Sequence, residues 1–414
     1  MKKTISCGLL FCAMLLVYTS CDKVEPEPEI VFKDKIVEVE KIVEKEVIVE
    51  SVESLKVDVQ ETYANVVYKN YKDSYDLALV LQSAINSFVT APSADGFTAA
   101  KSAWFASREP YGQTEAFRFA SGPIDAEDGP EGLLNAWPLD ESYIDYVDGS
   151  EMSGIVNDPE TYPTLSKGLL ASLNEAGGDA NISIGYHAIE YLLWGQDLTK
   201  PSDKQRGLRE FTDFTTQVNA DRRGEYLNIS SELLIEHLHS MVIAWDPNVS
   251  GNFREEFLAL SANDAITNIL TGIGTLSKSE LAGERIFTAY DNRDQEDEHS
   301  CFSDNTHRDT RLNAIGIRNV LTGCYIQKDG ISKVTGASLI DLINLVDPTF
   351  GENISSQMNV ALSAVNNTAI PFDFAISDDN ERPKVLTAVQ ELRVLGDMIA
   401  ELGTKLGLSV NTDG

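Results

Sequence analysis

An all-α fold is predicted by three observations. Apolar residues recur at three- and four-residue steps through most of the chain. Alternating, strand-like patterning is almost absent beyond residue 52, and Gly, Pro, Asn and Asp gather in a few clusters between the periodic runs. With 414 residues, 43% of them hydrophobic, the chain exceeds what one typical core holds. The expected architecture is therefore two helical-bundle domains, 53–246 and 247–414.

In chain order, Met1-Lys2-Lys3 is a short basic start and Ile5 to Val17 a mostly apolar stretch, with Thr19 and Ser20 just before Cys21. Residues 1–20 read as a secretory signal rather than a membrane span. The segment resembles a bacterial lipoprotein leader, in which the cysteine after cleavage becomes the lipidated first residue. Tyr18 departs from the Leu usual three places before it. That resemblance implies a cell-envelope protein held to a membrane through lipid on Cys21, with the outer membrane, facing periplasm or exterior, as the expected site. Residues 21–52 alternate Val or Ile with Glu or Lys and read as a charged stalk, its period ambiguous between extended strand and helical stem.

From Val52 onward Leu55, Val59, Tyr63, Val66, Val67 and Tyr71 mark a first helix, continued by Leu77, Val80, Ile85 and Phe88. The run Gln217 to Trp245 predicts another, stopped by Asp246-Pro247. Phe253 to Leu276, Leu312 to Val320, Ala337 to Leu345 and Pro383 to Leu406 give four more. No later stretch approaches the roughly 20 apolar residues needed to cross a bilayer.

The formal charge is −32, and loss of Lys2 and Lys3 with the leader would leave −34. Such a surface repels phosphate backbones, which argues against a nucleic-acid partner, and attracts cations. Acidity of this kind also serves plain solubility. Of the five cysteines, Cys7 and Cys12 lie in the leader, which leaves Cys301 and Cys324 as a candidate disulfide. No CxxC spacing is present, so a thiolate zinc site is unsupported.

The run Ile182 to Gln196 (ISIGYHAIEYLLWGQ) is apolar around nearly its whole circumference, the mark of a helix buried on all sides. His187 and Glu190 are its only readily charged residues, three apart and so on one helical face. A buried carboxylate needs a proton, a cation, hydrogen bonds or a metal. A histidine and a glutamate that satisfy each other structurally would meet that need as well. Gly185 is a costly residue inside a helix and indicates a close neighbour. Two further segments concentrate polar chemistry. Trp104 to Phe119 holds Arg108, Glu109, Gln113, Glu115 and Arg118 among aromatics, followed by a Gly-, Pro- and acid-rich loop containing Asp125. Gln295 to Asp309 holds Glu298, His299, Ser303, Asp304 and His307. Imidazole and carboxylate together suit iron, zinc or manganese.

The GxHxxE pattern (Gly185, His187, Glu190), the REPYGQTEAFRF segment, GPID followed by GPEG, and EDEHSCFSDNTHRD, in this order, resemble the imelysin family of bacterial cell-surface proteins. The match runs from about residue 55 to about 405. The resemblance implies an all-helical, two-domain fold with its functional site in the cleft between domains, and a link to iron uptake. It implies a divalent or trivalent metal, iron first and zinc second, arriving as an ion or a chelate. His187, Glu190 and Glu115 would be ligands, with His299 or His307 assisting and Arg108 and Arg118 balancing acids or holding an anionic chelator. The family is also named for peptidases. A zincin needs HExxH, and this chain has neither that motif nor its inverse HxxEH. Three functions stay open on the residues: a metal-binding surface lipoprotein serving uptake, a metallopeptidase using His187 and Glu190, and a non-catalytic module that recognises a peptide or other ligand.

Overall fold

Apolar side chains at three- and four-residue steps become the buried stripe of a helix that runs Glu29–Thr90. Val59, Tyr63, Val66, Val67, Tyr71, Leu81, Ile85 and Phe88 all turn inward. The computed structural model describes residues 29–413, with side chains from residue 51 onward. The leader and Cys21 lie outside the described residues. The stalk backbone is helical from Glu29, which resolves the ambiguity of its period.

Pro92 stops that helix, and the Ser93 hydroxyl accepts the Gly96 N–H at 3.2 Å to cap the next, Ala94–Thr114. Asn70 donates to the Pro110 carbonyl at 2.7 Å, which fixes the first helix against the second. The buried GxHxxE helix is shorter than the apolar run predicts: Tyr186–Trp194, all nine residues buried, packed on Ala94–Thr114 and on Ala220–Trp245. The predicted Phe253–Leu276 helix breaks at Leu260-Ser261 into Phe253–Ala259 and Ala262–Thr275. The second of these continues into a π-helical stretch, Leu276–Phe287. Arg382–Lys405 packs against that stretch, against Pro348–Asn366 and against Ala262–Thr275.

Thr306–Thr322 lies against Ala94–Thr114 and so joins the two halves of the sequence. Gly316 permits the approach, since a Cβ there would sit 2.5 Å from the Gln113 carbonyl oxygen. The boundary expected at 246/247 is a turn in which Asp246 accepts the Asn248 N–H at 2.8 Å. No division into two cores accompanies it. Residues 50–414 form one compact unit, and one hydrophobic cluster runs from Val59 to Leu402. A short antiparallel hairpin, Cys324–Ile326 with Lys333–Thr335, escapes the sequence reading because three-residue strands carry no periodic signal. No described helix is long and apolar enough to cross a membrane.

Candidate functional site

The GxHxxE helix begins where its glycine is needed. Gly185 precedes the first turn with φ +92°, and a Cβ there would lie 2.8 Å from the Leu134 carbonyl oxygen. Its role is thus a positive-φ N-cap under the end of the short helix Glu131–Leu134 rather than a weak point inside the helix. Trp104 donates its indole N–H to the Tyr186 carbonyl at 3.0 Å, and the Tyr226 hydroxyl donates to the Ser183 carbonyl at 2.7 Å. With the helix locked, His187 and Glu190 face each other one turn apart and share a hydrogen bond of 2.9 Å between Nδ1 and Oε2.

The other Glu190 oxygen receives the Ser303 N–H at 3.0 Å and the Ser303 hydroxyl at 2.6 Å. Burial pushes the Glu190 carboxyl up to about 8, against the opposing pull of the Ser303 hydrogen bonds and the Arg108 charge. Burial, followed by the Arg108, His299 and Arg285 charges, drives the His187 imidazole well below its ordinary range. It is therefore neutral at pH 7, the form that binds metals. Its Nε2 is buried and has no hydrogen-bond partner.

His299 continues the site. Its ring lies 6.3 Å from that of His187, both of its nitrogens are buried without hydrogen-bond partners, and Nε2 stands 3.9 Å from Asp309 Oδ2. Burial and the nearby Arg285 and Arg108 charges keep this imidazole neutral as well. Asp309 accepts from Arg108 Nε at 3.2 Å and from the Ser300 hydroxyl at 2.6 Å. Arg108 also donates to Asn135, and Asn135 to Glu115 at 3.3 Å. Glu115 closes the chain by accepting from Arg285 at 2.7 Å. The Arg108 guanidinium lies among the rings of Trp104, Tyr111 and Tyr186 at 5.6, 5.4 and 5.0 Å.

A cavity of about 460 Å³ opens beside this network, with His299 and Trp137 in its wall. Trp137 also packs on the His187 ring, at 5.2 Å. Six carboxylates (Glu131, Glu175, Glu280, Glu284, Glu296 and Asp297) line the cavity against two guanidiniums, Arg118 and Arg285, so its field favours cations. Glu280, Glu284 and Arg285 all project from the π-helical stretch, where such winding often marks a site. A second hollow, about 450 Å³ beside Tyr146, Trp194 and Arg209, touches none of the predicted residues.

The predicted residues divide accordingly. His187, Glu190, His299, Ser303 and Arg108 come together, and Arg118 lines the cavity. Glu115 adjoins them but is engaged by Arg285, Arg118 and Asn135. These partners outweigh its burial and hold its carboxyl below the usual range. Asp125 accepts from Arg118 Nε and from the Phe119 N–H. Glu109 pairs with Arg308 at the half-exposed surface, and Gln113 accepts from Asn319. His307 bonds the Asp304 carbonyl through Nδ1. Glu298 and Asp304 turn to another cluster, described below. Cys301 and Cys324 are free thiols, so the candidate disulfide between them is not formed. They flank opposite ends of the 17-residue helix Thr306–Thr322, about 25 Å long, whereas a disulfide requires Cα atoms within roughly 7 Å. Asn135, Trp137 and Arg285 gave no sequence signal, because each is one polar or aromatic residue in an unremarkable context. Asp309 stood at the end of a motif already singled out.

An all-helical scaffold that buries a histidine–carboxylate pair beneath a second histidine and an acidic cavity defines the class. The imelysin family model matches residues 67–398, and the chain belongs to the imelysin family. It is 25% identical over 349 residues to iron-regulated protein A of Synechococcus elongatus, covering 82% of this chain and 83% of that protein. A crystal structure from Parabacteroides distasonis, assigned provisionally as an iron-regulated protein A precursor, superposes with a TM-score of 0.67. The two share 21% identity, and the match covers 85% of this chain and 95% of that one, which establishes the shared fold.

Proposed function

We propose that this protein is a lipid-anchored, cell-envelope imelysin that binds iron as cargo for uptake, in the acidic cavity beside His299 and His187. The observation that carries this reading is the set of three buried imidazole nitrogens without partners, His187 Nε2 and both nitrogens of His299, next to a cavity lined by six carboxylates. Neutral imidazole with carboxylate suits iron, and zinc after it. The two relatives named for iron regulation support the same direction. Among the described residues, no three side-chain ligand atoms around His187 lie within 4.8 Å of one another. A bound ion would therefore complete its coordination with water or a chelator, as suits cargo that must leave again. Glu190 orients His187 through Nδ1 rather than offering a bare carboxylate. The peptidase label of the family gains no specific observation in this chain.

Equilibrium binding of ferrous iron, ferric citrate and zinc to purified protein tests the reading, beside His299→Ala and His187→Ala variants. Wild type should bind iron, and each variant should bind it about 10- to 100-fold more weakly. Circular dichroism checks that the variants remain helical. Equal affinity in all three proteins, or no iron bound by wild type, would end the proposal.

A further inference from the structure

Away from the His187–Glu190 pair, three aspartates from distant segments converge. Asp197 follows the GxHxxE helix, Asp304 follows Ser303, and Asp373 lies in the short helix Phe372–Ser377. One carboxylate oxygen of each lies within 4.8 Å of the others, and this is the one such grouping of metal-ligating side chains among the described residues. The three residues are 4%, 8% and 3% exposed. None of them makes an ion pair with a described lysine, arginine or histidine within 4.0 Å. Two independent features point to a missing positive partner. Glu298, 1% exposed, feels the charge of all three aspartates, and its Oε1 is buried without a hydrogen-bond partner. Asp373 Oδ1 is likewise buried and unpartnered.

The basic groups nearby act only through space. Arg206 lowers Asp304 and Lys204 lowers Asp373 from a distance, while the Lys204 ammonium rests on the Phe374 ring and the Arg206 guanidinium on Phe105. Burial, then mutual repulsion, raises Asp304 to about 7, and burial raises Asp373 to about 6. Three acids gathered this way, with Glu298 within electrostatic reach, must hold protons or share a cation.

We propose that Asp197, Asp304 and Asp373, with Glu298 beside them, form a binding site for a hard divalent cation of the calcium type. The donor set is carboxylate oxygen alone, with no imidazole or thiolate, which selects calcium, magnesium or manganese over softer metals. Calcium, with its flexible coordination and easy dehydration, fits best a site built from three separate segments. The ion ties the loop leaving the GxHxxE helix to the loop that carries Ser303 and to the Phe372–Ser377 helix. It does not depend on iron binding at His187 and His299.

The test uses EDTA-treated full-length protein, titrated with calcium, magnesium and manganese chlorides by calorimetry and by thermal melting. Wild type should bind one ion and melt at higher temperature with it. Asp373→Asn and Asp304→Asn should weaken binding by tenfold or more and lose the thermal shift. Without metal, both should melt at or above the temperature of metal-free wild type, because each removes a repelling charge. His187→Ala should keep the calcium response. The proposal is overturned if wild type responds to none of the three ions, or if Asp373→Asn keeps the full response. It is equally overturned if metal-free Asp373→Asn melts below wild type, or if the response disappears in His187→Ala instead.

Discussion

Glu190 has both carboxylate oxygens engaged, one with the His187 ring and the other with two donors of Ser303. Removing the side chain strands the buried Ser303 donors on one side and the His187 ring nitrogen on the other, and an unsatisfied buried group costs about 1–3 kcal/mol. Glu190→Ala should therefore lower stability by about 2–4 kcal/mol in denaturant unfolding. Glu190→Gln should lose under half of that, because its amide accepts from Ser303 and donates to His187 Nδ1. Equal losses for the two variants would show that hydrogen bonding is not what holds this residue. The His187–Glu190 contact was legible from a three-residue spacing in an apolar run. The Ser303 contact spans 113 residues and could only come from packing.

Among the elements, the turn ending at Asp145 and the long helix Ala220–Trp245 are braced by one carboxylate. Asp145 accepts from Arg209 at 2.7 Å and from Arg223 at 2.6 and 2.9 Å, all deeply buried. Burial alone would raise this acid, but the two guanidiniums outweigh it and hold it below the usual carboxylate range. Asp145→Ala, which leaves the buried Arg223 without a carboxylate and Arg209 with only Asp213 at 3.5 Å, should cost about 3–5 kcal/mol at neutral pH. A depressed native value adds stability above the unfolded carboxylate value and loses it as pH falls through the native one. The gap between wild type and variant, measured by urea unfolding, should accordingly shrink below pH 4. A gap that holds constant to pH 2 would contradict the brace. Of these two elements, the helix Ala220–Trp245 was readable from its spacing and the four-residue turn before Asp145 was not. Helix ends were not readable either, as the late start at Tyr186 and the break at Leu260 show. Caps and positive-φ residues such as Gly185 decide such ends through neighbours remote in sequence.

Over the whole molecule, the two halves of the sequence are knit together by bonds that cross the midpoint of the chain. Arg108 reaches Asp309, Arg285 reaches Glu115, and Ser303 reaches Glu190. The acidic cavity lies beside these crossings, in a chain of formal charge −32. Cation capture should be steered by that field. A Glu280→Gln, Glu284→Gln double variant should bind iron several-fold more slowly at low salt, with the difference fading above about 0.15 M ionic strength, where the screening length falls to about 8 Å. Stopped-flow association rates at two salt concentrations check this, and unchanged rates would place capture elsewhere.

What the sequence determined alone was the helical class, the family resemblance and the buried histidine–glutamate couple. Each rests on spacing within a few turns, where backbone geometry dictates which side chains meet. Tertiary structure decided that His299 rather than Glu115 stands free beside His187, that Cys301 and Cys324 remain apart, and that Asp197, Asp304 and Asp373 share one buried place. Those outcomes depend on which helices pack together, and residues a hundred positions apart become neighbours only once a common core has closed around them.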